Sequence, residues 1–313
     1  MKNGKYIEER MKKSLLIFIA AVISAIGLIN IAKAADDTLE KIRKTGEITL
    51  GVRESSGLAY ALGNGKYAGF HTEMAELIID DIAKKIGKPI KIHYLPITSQ
   101  NRIPLLKNST YDFECGSTTN DISRSKEAAF AYTTYVEEVR IAVKKNSHIK
   151  SLEDLNGKTI ATTTGTTSVQ LIRKNKRAKK LHFKVVKGKD HGDSFLLLES
   201  GRADAFVMDA SILAGHIAKS KNPSDYVILD TVLSVEPIAC MLRLNDKNFE
   251  QAINDSILRQ IKDESLEKLY DKWFMKPTPP ANAIINLPLS QSTKYAWEHP
   301  NNKPREDYTE NNL

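Results

Sequence analysis
A chain of 313 residues is too long for one ordinary hydrophobic core and has room for two domains. With 41% hydrophobic and 27% charged residues it is neither a disordered nor a polytopic membrane chain, and its two cysteines exclude a disulfide-dense scaffold and a four-cysteine zinc site. The formal net charge of +8 would suit a polyanion partner only if the charge were gathered on one face.

Part of that charge belongs to an address. Met11-Lys12-Lys13 is basic, residues 15–31 form an almost unbroken apolar run, and Ala32-Lys33-Ala34 is a small-x-small site. This is the pattern of a secretory signal, with cleavage expected after Ala34; Met11 is an alternative start. The run sits at the short limit of a bilayer span, which makes an uncleaved anchor the lesser reading. Six of the 46 basic and two of the 38 acidic residues precede residue 35, which leaves 40 against 36, a net +4. The densest remaining basic stretch, residues 174–180, has no interleaved aromatics and reads as a solvated helix end. An exported, soluble chain is expected, a monomer with no nucleic-acid partner.

In chain order, residues 38–45 read as a helix closed by Gly46, and residues 47–52 as a strand. Gly63-Asn64-Gly65 is a hairpin turn. Met74, Leu77, Ile78, Ile82 and Ile86 fall at helical spacing in residues 72–86. A strand at 90–95, a helix at 99–107 and a strand at 111–115 follow. A second unit opens near Val139. Its elements are a capping box at Ser151 and Asp154, strands at 158–163, 182–186, 205–208 and 226–229, and helices at 166–174, 193–200 and 211–219. An apolar run at 238–242 precedes helices at 246–262 and 265–274. Residues from about 298 onward are polar and read as a disordered tail. Alternating strands and helices argue for α/β architecture with a largely parallel sheet. No linker rich in Gly, Pro or Ser divides the units, which favours two intimate lobes joined by extended crossings near residues 132–138 and 233–237.

Ligands of open α/β sheets bind beyond the carboxyl ends of the strands. The residues there are Arg53, then Gly116-Ser117-Thr118-Thr119, then Gly165-Thr166-Thr167 at a helix start, then Asp209, with His191 in a neighbouring loop. Hydroxyls and a glycine at a helix N-terminus suit a carboxylate. Arg53, Arg102 and Arg124 can each pair with one through two parallel hydrogen bonds, and Asp209 suits an ammonium group. Taken singly, each has a plainer reading as a helix cap, a surface ion pair or a solvated histidine. Together they describe a site for one ammonium and two carboxylates, an acidic amino acid.

Signals for chemistry are poor. There is no Gly-x-Ser-x-Gly, no His-Glu-x-x-His and no phosphate loop, and the seven histidines are scattered. No catalytic residue, metal or cofactor is expected. Cys115 and Cys240 lie on apolar strand-like segments, where a disulfide and two buried thiols are both open.

The strings Pro96-Ile-Thr-Ser-Gln-Asn-Arg-Ile-Pro-Leu-Leu106, Asp112-Phe-Glu-Cys-Gly-Ser-Thr-Thr-Asn120, Lys189-Asp-His-Gly-Asp-Ser-Phe195 and Leu198-Glu-Ser-Gly-Arg-Ala203 resemble the periplasmic glutamate/aspartate-binding proteins of ABC importers, within family 3 of the solute-binding proteins. The resemblance runs from about residue 39 to 289. It implies a type II periplasmic-binding fold with lobe 1 at 35–134 plus 237–289, lobe 2 at 135–236, a polar tail at 290–313, and a ligand between lobes that close by a hinge. It implies a periplasmic receptor that captures L-glutamate and L-aspartate and delivers them to membrane permease subunits. Carried over by position, Arg124, Thr119 and Thr167 take the α-carboxylate, and Ser117 and Asp209 the α-ammonium. Arg53, Ser99, Arg102 and His191 take the side-chain carboxylate. The chain departs from relatives at the segment covering the ligand, where Gly57-Leu-Ala-Tyr-Ala61 offers only Tyr60 as an aromatic. The alternatives are a periplasmic dehydratase on the same scaffold or a sensory ligand-binding module.

Overall fold
A computed structural model describes residues 37–308; the expected signal lies outside the described residues. The elements are α1 (Thr38–Thr45), β1 (Glu47–Val52), β2 (Tyr60–Gly63), β3 (Lys66–Ala68), α2 (Phe70–Ile86), β4 (Lys91–Pro96), α3 (Arg102–Lys107), β5 (Phe113–Glu114), α4 (Ile122–Ser125) and β6 (Ala129–Lys144). They continue with β7 (Thr159–Thr163), α5 (Thr167–Ala178), β8 (Lys184–Gly188), α6 (His191–Glu199), β9 (Ala205–Asp209), α7 (Ala210–Lys219), β10 (Tyr226–Ile228) and β11 (Ser234–Leu242). The C-terminal part holds α8 (Lys247–Lys262), α9 (Ser265–Tyr270) and α10 (Gln291–Glu298). Among the described residues no helix is long and apolar enough to cross a membrane.

The main sheet runs β4-β1-β5-β11-β6-β9-β7-β8, with β10 on β6. It is less parallel than the alternation of elements implied. β4-β1-β5 and β9-β7-β8 are parallel blocks, joined by the antiparallel pair β6 and β11. These two strands are long enough to belong to both lobes. Their pairing of Val136 with Pro237, Glu137 with Glu236 and Val139 with Ser234 places both crossings side by side. The β2–β3 hairpin forms around Asn64 and Gly65, both at positive φ, as the turn sequence requires.

Each lobe has its own core. In the first, α2 buries Met74, Ile78 and Ile82 and α8 buries Phe249, Ile253 and Ile257, against Leu50, Phe113 and Ile238 of the sheet. The second shows period-two burial on both sheet faces. Val139, Ile141 and Val143 of β6 join Val207 and Ile172 on one face, while Ala142 joins Phe206, Phe195 and Leu213 on the other. Cys115 and Cys240 form a disulfide between neighbouring strands, with Cα atoms 4.2 Å apart.

The end of the chain corrects the sequence reading of a disordered tail. Through Tyr308 it is ordered, and α10 packs on β6. Between Ala129 and Val136, β6 pairs with β11 on one edge only, because β9 joins it from Val139 onward. The C-terminal segment covers the free edge. The Val136 N–H donates to Thr293 Oγ1 at 3.0 Å, the Trp297 indole N–H to the Thr134 carbonyl at 2.9 Å, and the Thr133 N–H to the Asn301 carbonyl at 2.9 Å. Exposed strand edges are liabilities, and polar composition does not prevent a segment from satisfying one.

Candidate functional site
The carboxyl ends of β1, β5, β7 and β9 converge on a small cavity. Its lining includes Arg53, Arg102, Ser117, Thr119 and Arg124 from the first lobe, and Thr166, Thr167, His191, Met208 and Asp209 from the second. Eight of the nine residues expected from sequence share this wall. The ninth, Ser99, stands behind it, where its hydroxyl accepts from Arg53 Nη2. Thr166, at the α5 N-cap, was read within the Gly165-Thr166-Thr167 turn but given no role, and Met208, beside Asp209 near the end of β9, was not anticipated.

Each functional side chain is placed by local structure. Arg53 directly follows β1 and is held by hydroxyls, with Nη1 donating to Ser117 Oγ at 3.0 Å. Nη2 lies 3.4 Å from His191 Nε2. A guanidinium only donates, so Nε2 is the acceptor and the neutral ring places its proton on Nδ1, 3.0 Å from Thr163 Oγ1. Burial holds the His191 pKa well below its usual value, and the positive charges of Arg53 and Arg102 act in the same direction. His191 begins α6, where Asp190 caps the helix by accepting from the Asp193 N–H.

Arg102 opens α3 and is 2% exposed. Among the described residues its guanidinium makes neither a hydrogen bond nor an ion pair, and its Nε is a buried donor without a partner. Burial lowers its pKa well below the ordinary value, reinforced by Arg124 and Arg53. Burial also lowers that of Arg53. Arg124 is better compensated: Nη1 donates to the Thr119 carbonyl at 2.9 Å and Nε lies 3.5 Å from Asp121 Oδ2.

The opposite wall carries the opposite sign. Asp209 ends β9, is 2% exposed, and has no hydrogen-bond partner for its carboxylate among the described residues. Burial raises its pKa well above the usual range, and nearby Glu137 and Glu236 raise it further. Beside it, the first-turn N–H groups of α5 begin at Thr167, and helix N-termini favour anions. The hydroxyls of Thr119 and Thr167 do not point their protons into the cavity. They donate to Glu236 Oε2 at 2.6 and 2.8 Å, which leaves each oxygen as an acceptor towards the site. Glu236 lies in the second crossing strand and was missed from sequence because nothing local to Ser-Val-Glu-Pro marks it.

The lobes meet closely around the cavity. A Cβ on Gly215 of α7 would fall 1.5 Å from Ser56 Oγ in the first lobe. A Cβ on Gly165 would fall 2.8 Å from the Gln100 backbone. The arrangement is a closed cleft, with glycine where the second lobe's backbone rests on the first. Tyr60 does not cover the cavity: its hydroxyl donates to the Pro279 carbonyl at 2.7 Å and its ring packs edge-on against Trp273. The hairpin strand it starts pairs with β3, which turns the ring into the core.

A buried cleft between two α/β lobes, lined by fixed charges of both signs, can hold a small zwitterion. Residues 48–276 match the model for bacterial extracellular solute-binding proteins, family 3. The chain belongs to that family. It is 44% identical to the glutamate/aspartate import solute-binding protein of Salmonella typhimurium, over 87% of this chain and 91% of the relative. It is 42% identical to the protein of the same name in Escherichia coli, over 94% and 99%. Among solved structures, the P235GK mutant of ArgBP from T. maritima superposes with a TM-score of 0.67 at 29% identity, covering 76% of this chain and 99% of that one. The fold is thus the type II periplasmic-binding architecture expected from the resemblance.

For this family 3 protein the charges divide by wall, with Arg53, Arg102 and Arg124 in the first lobe and Asp209 in the second. Among the described residues no group of three or more His, Cys, Asp or Glu side chains could hold a metal ion.

Proposed function
We propose that the protein captures L-glutamate or L-aspartate in the cleft and delivers it to the membrane subunits of an ABC importer, after export through its N-terminal signal. The carrying observation is that Arg53 and Arg102, both buried, lack an ion-pair partner among the described residues and line the same cavity as the unpaired Asp209. Two unpaired buried guanidiniums are costly unless a bound anion compensates them. In this reading they take the side-chain carboxylate, with Ser99 and His191 fixing Arg53. The α-carboxylate meets Arg124 and the N-terminus of α5. The α-ammonium meets Asp209, Ser117 and the Thr119 oxygen, whose proton is committed to Glu236. Thr167 contributes through its backbone N–H, because its hydroxyl also donates to Glu236.

The reading is supported by relatives named for glutamate/aspartate import, at 42–44% identity, and by one named for L-glutamate/L-aspartate binding, at 39%. The protein performs no chemistry in this account: it replaces the ligand's water by fixed donors and closes over it. A thermal-shift panel of the twenty amino acids on ligand-stripped protein tests it. Glutamate and aspartate should give the two largest rises in melting temperature. Larger shifts with arginine or glutamine would reject an acidic ligand.

A further inference from the structure
The C-terminal segment reaches the ligand cleft through one buried carboxylate. Glu236 is fully buried at the hinge and uses both oxygens. Oε2 accepts from Thr119 of the first lobe and Thr167 of the second, so one atom ties together the two walls of the cavity. Oε1 faces Arg305, whose Nη1 lies 3.2 Å away. No other cation is ion-paired to Glu236 among the described residues.

Arg305 is itself held in place. Its backbone N–H donates to the Asn120 carbonyl at 2.8 Å, and Nη2 lies 2.9 Å from Glu306 Oε1. Glu306 Oε2 in turn accepts from the Ile122 N–H at 3.0 Å. Asn120 and Ile122 lie in the segment that runs from Thr119 to Arg124. The segment therefore docks on that loop and delivers one guanidinium to the hinge carboxylate.

The electrostatics give that guanidinium a task. Glu236 lies opposite Glu137 across the β6–β11 pair, and Asp209 is near enough to feel both. Three carboxylates are buried at the hinge, and among the described residues Glu236 meets its one ion-pair partner in Arg305. Without that partner the Glu236 carboxylate is free to turn, and the hydroxyl protons of Thr119 and Thr167 can go to other acceptors. A guanidinium on Oε1 fixes the orientation in which Oε2 accepts from both threonines.

We propose that Arg305 is a positioning residue for the ligand site: it anchors the Glu236 carboxylate, so that Thr119 and Thr167 present oxygen acceptors to the cleft and remain joined to each other across it. The proposal rests on the reading of the cavity as an amino-acid site. It gives Arg305 a part in the binding machinery, though no described residue beyond 300 lines the cavity.

Calorimetry with L-glutamate on four full-length proteins tests it: wild type, Arg305→Met, Glu236→Gln, and the double variant. Arg305→Met should weaken binding about tenfold or more, as expected when a buried charge loses its partner. In the Glu236→Gln background the same change should cost less than twofold. Arg305→Lys, which keeps a cation, should recover most of the affinity. Tyr308→Phe removes the segment's 3.0 Å hydrogen bond to Thr133 Oγ1 without touching Glu236, and should bind like wild type. Equal losses for Arg305→Met in both backgrounds would overturn the proposal. So would a loss from Tyr308→Phe as large as that from Arg305→Met, which would mark general docking of the segment. If wild type ignores glutamate, the ligand reading fails by itself. The same proteins are then compared with the amino acid giving the largest thermal shift, and the coupling is scored with that probe.

Discussion

The two walls of the cleft are built on opposite principles. The first lobe offers cations: Arg53, Arg102 and Arg124 come from the end of β1, the start of α3 and the short helix α4. The second offers Asp209, a histidine kept neutral by burial, and the N-terminus of α5. In the proposed reading the first wall would make anion binding strong, and the second would set which end of a dipolar ligand faces which way. Complementarity would then be divided between affinity and orientation, with Glu236 joining the two walls.

The comparison can be broken most sharply at the cationic wall. Arg102→Met should weaken glutamate binding by about 2–5 kcal/mol, the range for truncating one partner of a buried charge pair. Unchanged affinity by calorimetry would remove Arg102 from the site.

The acidic side can be tested without ligand. Burial pushes the Glu137 pKa up to about 7 from its ordinary 4.5, although it accepts from the Ser211 hydroxyl and from the Ser211 and Glu138 N–H groups. The folded state therefore retains a proton that the unfolded chain releases at lower pH. Stability is lost as pH rises between those two values. Glu137→Gln, which needs no proton to stay neutral, should flatten that loss by on the order of 2–3 kcal/mol between pH 5 and 8. Denaturant unfolding at the two pH values measures it; an unchanged difference would show that Glu137 ionises freely.

The contact between the walls gives a smaller effect. Gly215→Val drives a side chain into Ser56 and should oppose closure, weakening binding by about 1–3 kcal/mol with little change in the melting temperature of the ligand-free protein. Wild-type affinity would show that α7 does not have to approach so closely.

How much was legible in the sequence follows the same division. Residues at strand ends and helix starts, such as Arg53, Asp209 and Thr167, could be located because periodicity marks where strands stop and ligands of open sheets gather there. Two failures share a cause. Tyr60 was the sole aromatic candidate in the segment that covers the ligand in relatives, but hairpin pairing turns it into the core beside Trp273. The chain from about residue 298 was read as disordered because it is polar, but its Asn301 carbonyl accepts from the Thr133 N–H of a strand edge more than 150 residues away. Neither the edge nor Glu236's place behind two lobes leaves a local trace, since both depend on β6 and β11 crossing together. The cysteine pair, open from sequence, is decided by the register that sets β5 beside β11.

The central claim is that the cationic wall is shaped for a second carboxylate. Titrating ligand-stripped protein with L-glutamate and then L-glutamine tests it directly, because the two ligands differ only in that group. Glutamine leaves Arg53 and Arg102 without an anion, so its affinity should be lower by about 2 kcal/mol or more. Equal affinities would contradict the account.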